Sequence, residues 1–190
     1  KAVMGGKQVA MLVPTTVLAE QHYRNFRERM SAFPVSVEML SRFRSASEQR
    51  VTVEGLENGS VDIVIGTHRL LSSQLQFKDL GLVVIDEQHK FGVGQRAALI
   101  GRGTAPDVLV MTATPIPRTL TMTLYGDLDV SVLDEKPPGR GEVVTAVRVS
   151  AKQSDVTAFV KGKLAEGRQA YLVYPLVEES EGLKVESAVE

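Results

Sequence analysis

The feature that most constrains the fold is an apolar run at residues 82–85 that ends on two adjacent carboxylates, Asp86 and Glu87. A strand that is apolar at every position has no face for water, so it is expected in a parallel sheet covered by helices on both sides. Ligands of such sheets bind beyond the carboxyl ends of the strands, where Asp86 and Glu87 lie. The run therefore predicts an α/β fold with a ligand site at this edge.

Adjacent carboxylates at such a strand end suit a site for magnesium and a nucleotide. Magnesium in nucleotide hydrolases is commonly held by one or two carboxylates together with phosphate oxygens and water. Asp86 is the candidate metal ligand, and Glu87 is then free to align an attacking water. The alternative is that Asp86 only caps a following helix. We expect ATP and Mg²⁺ as cofactors, bound with the help of Asp86 and Glu87.

A second apolar run, residues 109–111, leads into Thr112, Ala113 and Thr114 and then into two prolines. Hydroxyls on either side of a small residue can bond both to a neighbouring carboxylate and to loops that contact a ligand. Because proline disfavours helix in the residue before it, this connection is expected to be stiff and extended. The segment is a candidate link between two sites, although a Thr/Pro-rich turn without such a role has the same pattern.

Two further predicted strands, residues 8–13 and 61–65, end in loops with hydroxyl groups. The candidate residues in these loops are Pro14, Thr15, Thr16, Gly66, Thr67, His68 and Arg69. Hydroxyls, backbone N–H groups and a helix N-terminus can together bind phosphates of a nucleic-acid strand. Simple helix capping by Thr15 and Thr67 is the alternative.

Together, these four loops resemble the superfamily 2 helicases, and within them the translocases that act on double-stranded DNA. Residues 14–23, 66–71, 86–93 and 112–120 match motifs Ia, Ib, II and III, and the resemblance continues through residues 127–132, 137–140, 167–171 and 178–180. It implies ATP-driven translocation that remodels branched structures such as stalled replication forks. Double-stranded and branched DNA are therefore the expected partners.

The resemblance also implies roles for single residues. Asp86 would bind magnesium, Glu87 would activate water, and His89 would join them in the catalytic group. His89, Thr112, Ala113 and Thr114 would couple the nucleotide site to the DNA-bound loops. The seven residues of the loops that begin at Pro14 and Gly66 would lie near the DNA backbone.

Alternatives remain beside this interpretation. A motor that couples transcription to repair shares the motifs, and residues 14–23 and 41–45 resemble it at least as closely, whereas Gln88 and the segment after Thr112 favour the fork-remodelling motor. A RecA-like module that binds duplex DNA without hydrolysing ATP is the non-catalytic alternative. An RNA helicase agrees less well with Gln88 and with residues 116–118.

Two parts of such a motor are not found in the sequence. No G-x-x-x-x-G-K-[ST] loop occurs, and the arginine-bearing motif of the second lobe is not recognised. Because these parts supply contacts to the phosphates, the chain alone is expected to bind ATP weakly or not at all. We therefore expect a RecA-like parallel sheet with helices on both faces that lacks its N-terminal phosphate-loop strand and helix, with the remainder of the polypeptide as its partner.

The predicted organisation is a first motor lobe at residues 1–136, a linker at 137–141 and the start of a second RecA-like lobe at 142–190. Prolines and glycines mark the linker. The predicted strands are residues 8–13, 35–40, 61–65, 82–85, 109–111 and 130–133 in the first lobe, and 143–149 and 170–173 in the second. A helix is predicted at residues 153–166 between the last two strands.

Charge and composition indicate which partners and which cellular compartment to expect. A formal net charge of -1 gives no global attraction to DNA, so binding must come from local patches. The densest positive patch comprises Arg24, Arg27, Arg29, Arg42, Arg44 and Arg50. The absence of cysteine fits a reducing compartment, and no apolar run is long enough to cross a bilayer. We expect a protein of the bacterial cytoplasm with no membrane partner.

Overall fold

Five parallel strands form one sheet in the computed structural model, which describes residues 1–113, 129–135, 137–139 and 141–173. The strands are β1 (Gln8–Leu12), β2 (Val37–Leu40), β3 (Ile63–Gly66), β4 (Leu80–Asp86) and β5 (Asp107–Met111). Their order across the sheet is β2-β3-β1-β4-β5, and every pair is parallel. The carboxyl ends of all five strands therefore share one edge, and the expected parallel α/β fold is confirmed.

Helices cover both faces of this sheet, as the sequence predicts. These helices are α1 (Thr16–Met30), α2 (Ala46–Asn58) and α3 (Val93–Ile100). A further helix, α4 (Gln153–Ala165), belongs to a separate part of the chain. Successive residues of β1 face opposite sides, so Met11 lies in a buried cluster with Ala19 of α1. Leu12 lies in a second cluster with Leu56 of α2 and Leu99 of α3. The sheet is thus apolar on both faces, which explains the strands without a polar face.

Four short 3-10 helices occur in the connecting segments that the structure describes. They span Val3–Gly5, His68–Leu71, Gln88–Lys90 and Ser150–Lys152. The first ends at Gly6, whose left-handed backbone with φ 77° is the usual glycine end of a helix and lies just before β1. No helix among the described residues is both long and apolar enough to cross a lipid bilayer.

Contacts divide the chain into two units, Lys1–Asp129 and Val130–Glu190. The first unit contains the whole sheet, and the second contains α4. The lobe and linker boundaries at residues 136, 137 and 141 stay a prediction, and Lys136 itself lies outside the described residues.

The strands predicted at residues 130–133, 143–149 and 170–173 are wrong, because the structure has no strand there. Their apolar side chains are exposed, as at Val144, which is 85% exposed, and Tyr171, which is 89% exposed. A strand needs a hydrogen-bonded neighbour and a surface to cover its apolar face, and a short stretch of chain supplies neither. The helix predicted at 153–166 is confirmed as Gln153–Ala165.

Helix α2 begins with a capping box that should make its stability sensitive to acid. The Glu48 carboxylate accepts bonds from the Ser45 hydroxyl and N–H and from Arg44, at 2.7 to 2.9 Å, and these donors lower the pKa of Glu48 to about 2. A carboxyl with a depressed pKa stabilises the fold above its unfolded value, about 4.3. This stabilisation is fully present at neutral pH and is lost as the pH falls towards 2.

We expect Glu48→Gln to lower the urea midpoint of unfolding at pH 7. As the pH falls from about 4.5 to 2, the midpoints of the variant and of the unsubstituted chain should converge. Circular dichroism of urea unfolding at several pH values measures this change. Glu57→Gln, at an exposed position of the same helix, is the control. A constant difference between Glu48→Gln and the parent chain at every pH would contradict the assignment.

Candidate functional site

The candidate site lies where β4 ends beside β5. Asp86 is the last residue of β4, and the N–H of Glu87 donates to the carbonyl of Met111 at 2.9 Å, so the pairing with β5 extends one residue further. Glu87 has a left-handed backbone with φ 49° and ψ 53°. That conformation costs a residue other than glycine about 1–3 kcal/mol, and residues held in it cluster at active sites, ligand clamps and switch regions. It turns the chain from β4 into the 3-10 helix Gln88–Lys90.

The Glu87 carboxylate contacts two of the segments predicted to act with it. Its Oε1 accepts from the N–H of Ala113 at 3.4 Å, and its Oε2 lies 3.4 Å from His89 Nδ1. The side chain of Glu87 is 26% exposed, so it is partly shielded but reachable. The structure therefore brings Glu87, His89 and the start of the 112–114 segment together. Thr114 lies outside the described residues.

Asp86 contacts a residue to which the sequence analysis assigned no role. His22 of α1 places Nε2 3.2 Å from Asp86 Oδ2. Both side chains are partly buried, at 24% and 18% exposure. The two residues are 64 positions apart, so only the fold reveals the contact. Its one sequence signal is that His22 lies next to Tyr23, on the border of the apolar face of α1.

The donor set suits magnesium better than a metal with an all-protein coordination shell. Among the described residues, no group of three or more His, Cys, Asp or Glu side chains could hold a metal. Asp86 Oδ1 has no hydrogen-bond partner within the part of the chain that the structure describes. Magnesium is usually bound through one or two carboxylates and completes its shell with water and phosphate oxygens. Asp86 therefore fits as its single strand-end ligand.

The loop after β1 begins α1, and here the capping alternative is realised. Thr15 is the N-cap residue, and its Oγ1 accepts from the N–H of Leu18 at 3.2 Å. Thr15 is exposed, whereas Pro14 and Thr16 are half-buried. Capping leaves room for a ligand contact from the exposed side, so DNA binding by Pro14, Thr15 and Thr16 stays a prediction.

The loop after β3 differs, because Thr67 makes no side-chain cap on the 3-10 helix that follows it. The His68 ring lies 5.5 Å from the Phe91 ring, centroid to centroid, and tilts 49° to it. Arg69 donates from Nε to Gln49 Oε1 at 3.1 Å. The His68 contact joins this loop to the segment that follows Asp86 and Glu87, so the two candidate sites are in physical contact.

Arg102 holds the same loop from the end of α3. Its guanidinium donates to the carbonyls of Leu70 and Leu71 at 2.7 and 3.0 Å. These are the last carbonyls of a 3-10 helix, which have no partner within the helix itself. Burial lowers the pKa of Arg102 from its ordinary value. Sequence reasoning missed Arg102 because it lies more than 30 positions from the loop it supports.

Comparison with known proteins agrees with the resemblance. Residues 1–123 match the DEAD/DEAH box helicase family. The ATP-dependent DNA helicase RecG of Thermotoga maritima is 51% identical over 97% of this chain, which corresponds to 24% of that relative. The transcription-repair-coupling factor of Bacillus subtilis is 48% identical over 95% of this chain and 15% of its own length.

A solved structure of RecG bound to a three-way DNA junction is 46% identical and has a TM-score of 0.70. It covers 90% of this chain, which covers 23% of it. These matches confirm the expected resemblance to a superfamily 2 DNA helicase, which the comparisons identify as RecG, and the RecA-like helicase fold. The chain spans about a quarter of the length of the RecG relatives that it matches.

Proposed function

Because this chain belongs to the DEAD/DEAH box helicase family, we propose that it supplies the first motor lobe of an ATP-dependent DNA helicase like RecG. The motor would remodel branched DNA such as stalled replication forks in repair and recombination. The observation that carries the proposal is the Glu87 carboxylate, which contacts both Ala113 and His89 at the carboxyl edge of the sheet.

In this proposal the two strand-end carboxylates have separate tasks. Asp86 holds the metal, and His22 orients the Asp86 carboxylate through Oδ2. Glu87 accepts a proton from the attacking water, and the Ala113 N–H and His89 keep its carboxylate at the site. Magnesium, when bound with ATP, neutralises charge on the phosphates. The rest of the nucleotide site belongs to other parts of the polypeptide.

In this proposal the nucleotide site and the DNA-binding loop are coupled by direct contacts between the segment after Glu87 and the loop after β3. His89 contacts Glu87, and Phe91, two residues further along, contacts His68 in the loop after β3. A shift of the segment after Glu87 would therefore move the loop that we assign to DNA. His89, Thr112, Ala113 and Thr114 form the coupling group in this proposal.

DNA contacts are assigned to the loops at the same edge of the sheet. The residues are Pro14, Thr15, Thr16, Gly66, Thr67, His68 and Arg69. Arg69 has a neutral partner, Gln49, and no carboxylate partner within the described residues, so its charge is available to a phosphate. The partner would be double-stranded DNA and its branched forms, in the bacterial cytoplasm.

We also propose the lobe boundaries that the sequence predicts. Residues 1–136 would be the first motor lobe, 137–141 the linker, and 142–190 the start of the second RecA-like lobe. The prolines and glycines of the linker support this division, and so does helix α4 after it.

A transcription-coupled repair motor is the second candidate, supported by the 48% identity to the Bacillus subtilis factor. The RecG assignment is supported by the higher identity, 51%, and by the match to the RecG structure. The two candidates differ in whether the motor by itself remodels branched DNA.

The full-length protein should hydrolyse ATP faster with duplex DNA than without it, and it should unwind or re-pair a synthetic fork in an ATP-dependent way. Phosphate release and a gel assay of labelled fork strands measure these two activities. DNA-stimulated hydrolysis without fork remodelling would favour the transcription-coupled motor. No ATP hydrolysis with any DNA would refute the proposed function.

A further inference from the structure

We infer that the loop between β2 and α2, residues 41–45, is a further contact for the DNA backbone. In this assignment Arg42 binds a phosphate, Phe43 positions the Arg42 guanidinium, and Gln49 holds the loop beside Arg69. The inference rests on the proposed function, because it takes duplex DNA as the partner.

The loop is placed at the correct edge by the sheet order. β2 lies beside β3, and Leu40 of β2 is in register with Gly66 of β3. The N–H of Thr67 donates to the carbonyl of Leu40 at 3.3 Å. The loop that follows Leu40 is therefore the direct neighbour of the loop that carries Thr67 and Arg69. A DNA strand that crosses one of these loops passes the other.

Gln49 of α2 ties the two loops together with one amide group. Its Nε2 donates to the carbonyls of Ser41 and Arg44 at 3.3 and 2.9 Å. Its Oε1 accepts from Arg69 Nε at 3.1 Å. The amide is half-buried, so water competes little for these bonds. Gln49 thus adds a side-chain link between the 41–45 loop and Arg69 to the spacing that the β2–β3 pairing sets.

The charges at this edge divide into paired and unpaired arginines. Three members of the positive patch form ion pairs with a glutamate four positions away: Arg24 with Glu20, Arg44 with Glu48, and Arg50 with Glu54, at 2.7 to 2.9 Å. Neither Arg42 nor Arg69 pairs with a carboxylate among the described residues. An unneutralised guanidinium presents several N–H donors that match phosphate oxygens. Arg42 and Arg69 are therefore cations of these two adjacent loops that no carboxylate among the described residues neutralises.

Phe43 gives the Arg42 side chain a fixed direction. The ring is 61% exposed, and the Arg42 guanidinium lies over it, 5.6 Å from its centroid. A guanidinium that stacks on an aromatic face keeps its N–H edge free for hydrogen bonds. The exposed ring therefore restrains a long side chain without covering the groups that would bind phosphate. Phe43 is a positioning residue in this assignment.

The test is duplex binding by the full-length protein, measured by anisotropy of a labelled duplex between about 50 and 200 mM salt. Arg42→Ala should weaken binding several-fold and reduce the slope of log K against log salt by about 0.9, as should Arg69→Ala. Arg50→Ala is the matched control, because Arg50 is exposed on the following helix and is already paired with Glu54. It should leave the slope unchanged.

Substitutions at Phe43 and Gln49 separate a positioning role from general loss of structure. Phe43→Leu should weaken duplex binding, whereas Phe43→Tyr should bind duplex DNA like the parent protein, because an aromatic ring is needed to stack with Arg42. Gln49→Ala should weaken binding, and its effect should shrink when Arg69 is already alanine, since the shared contact is then gone. Circular dichroism would verify that all variants are folded.

Each result has a definite consequence. If Arg42→Ala binds duplex DNA with the slope of the parent protein while Arg69→Ala does not, the inference is overturned and the proposed function stands. If Phe43→Leu and Phe43→Tyr bind equally, the positioning role is refuted. If the unsubstituted protein shows no salt-dependent duplex binding, the proposed function and the inference both fail.

Discussion

Glu87→Gln should reduce DNA-stimulated ATP hydrolysis by the full-length protein by about 100- to 10,000-fold, the usual contribution of a general base. Glutamine has the shape of glutamate and keeps an amide oxygen that can accept from the Ala113 N–H. It cannot take a proton from water. The substitution therefore removes the proposed chemistry and leaves the contact with the 112–114 segment in place.

Steady-state phosphate release with saturating duplex DNA measures the loss, and anisotropy of labelled duplex measures binding in parallel. We expect duplex affinity to change little, because Glu87 is not among the residues assigned to DNA. Glu38→Gln, a half-buried glutamate on β2, is the matched control and should keep its turnover. Undiminished hydrolysis in Glu87→Gln would refute the role of Glu87 and with it the assignment of the site.

The position of the site could be predicted from sequence because it depends on local pattern. An apolar run without a polar face predicts a parallel strand, and parallel strands place their carboxyl ends at one edge. The placement of Asp86 and Glu87 at this edge follows from that rule alone. The left-handed backbone of Glu87 does not follow, because it results from the pairing of β4 with β5 and the turn into the next helix.

Contacts between distant residues could not be predicted. His22 reaches Asp86 across 64 positions, and Arg69 reaches Gln49 across 20. Even some local contacts could not be predicted from sequence. Thr15 and Thr67 both follow a strand and precede a helix, yet only Thr15 caps its helix. The wrong strands at residues 143–149 and 170–173 have the composition of strands but form no pairs. A β pattern states what a segment could form, and only a neighbouring strand decides whether it forms.

Gly66→Ala should be the most disruptive single substitution in the loops that we propose to contact DNA. A Cβ at residue 66 would lie 2.6 Å from the carbonyl oxygen of Leu40 and 2.9 Å from Cγ of Leu70. The Leu40 oxygen is a backbone atom that also accepts from the Thr67 N–H. It cannot move away without disturbing the pairing of β2 and β3 and the start of the loop. Overpacking of this kind costs about 1–3 kcal/mol.

We expect Gly66→Ala to lower the melting temperature by about 2–4 °C for each kcal/mol lost and to weaken duplex binding as well. The second effect follows because the displaced segment carries Thr67 and Arg69. Gly94→Ala in α3 is the matched control: a Cβ there meets nothing within 4 Å, and alanine suits a helix better than glycine. Thermal unfolding and duplex anisotropy of both variants measure the two effects. A Gly66→Ala protein that melts and binds like the parent would mean that the sheet edge is more adaptable than its close contacts indicate. A lower melting temperature with unchanged duplex affinity would separate the packing role of Gly66 from the proposed role of its loop in binding DNA.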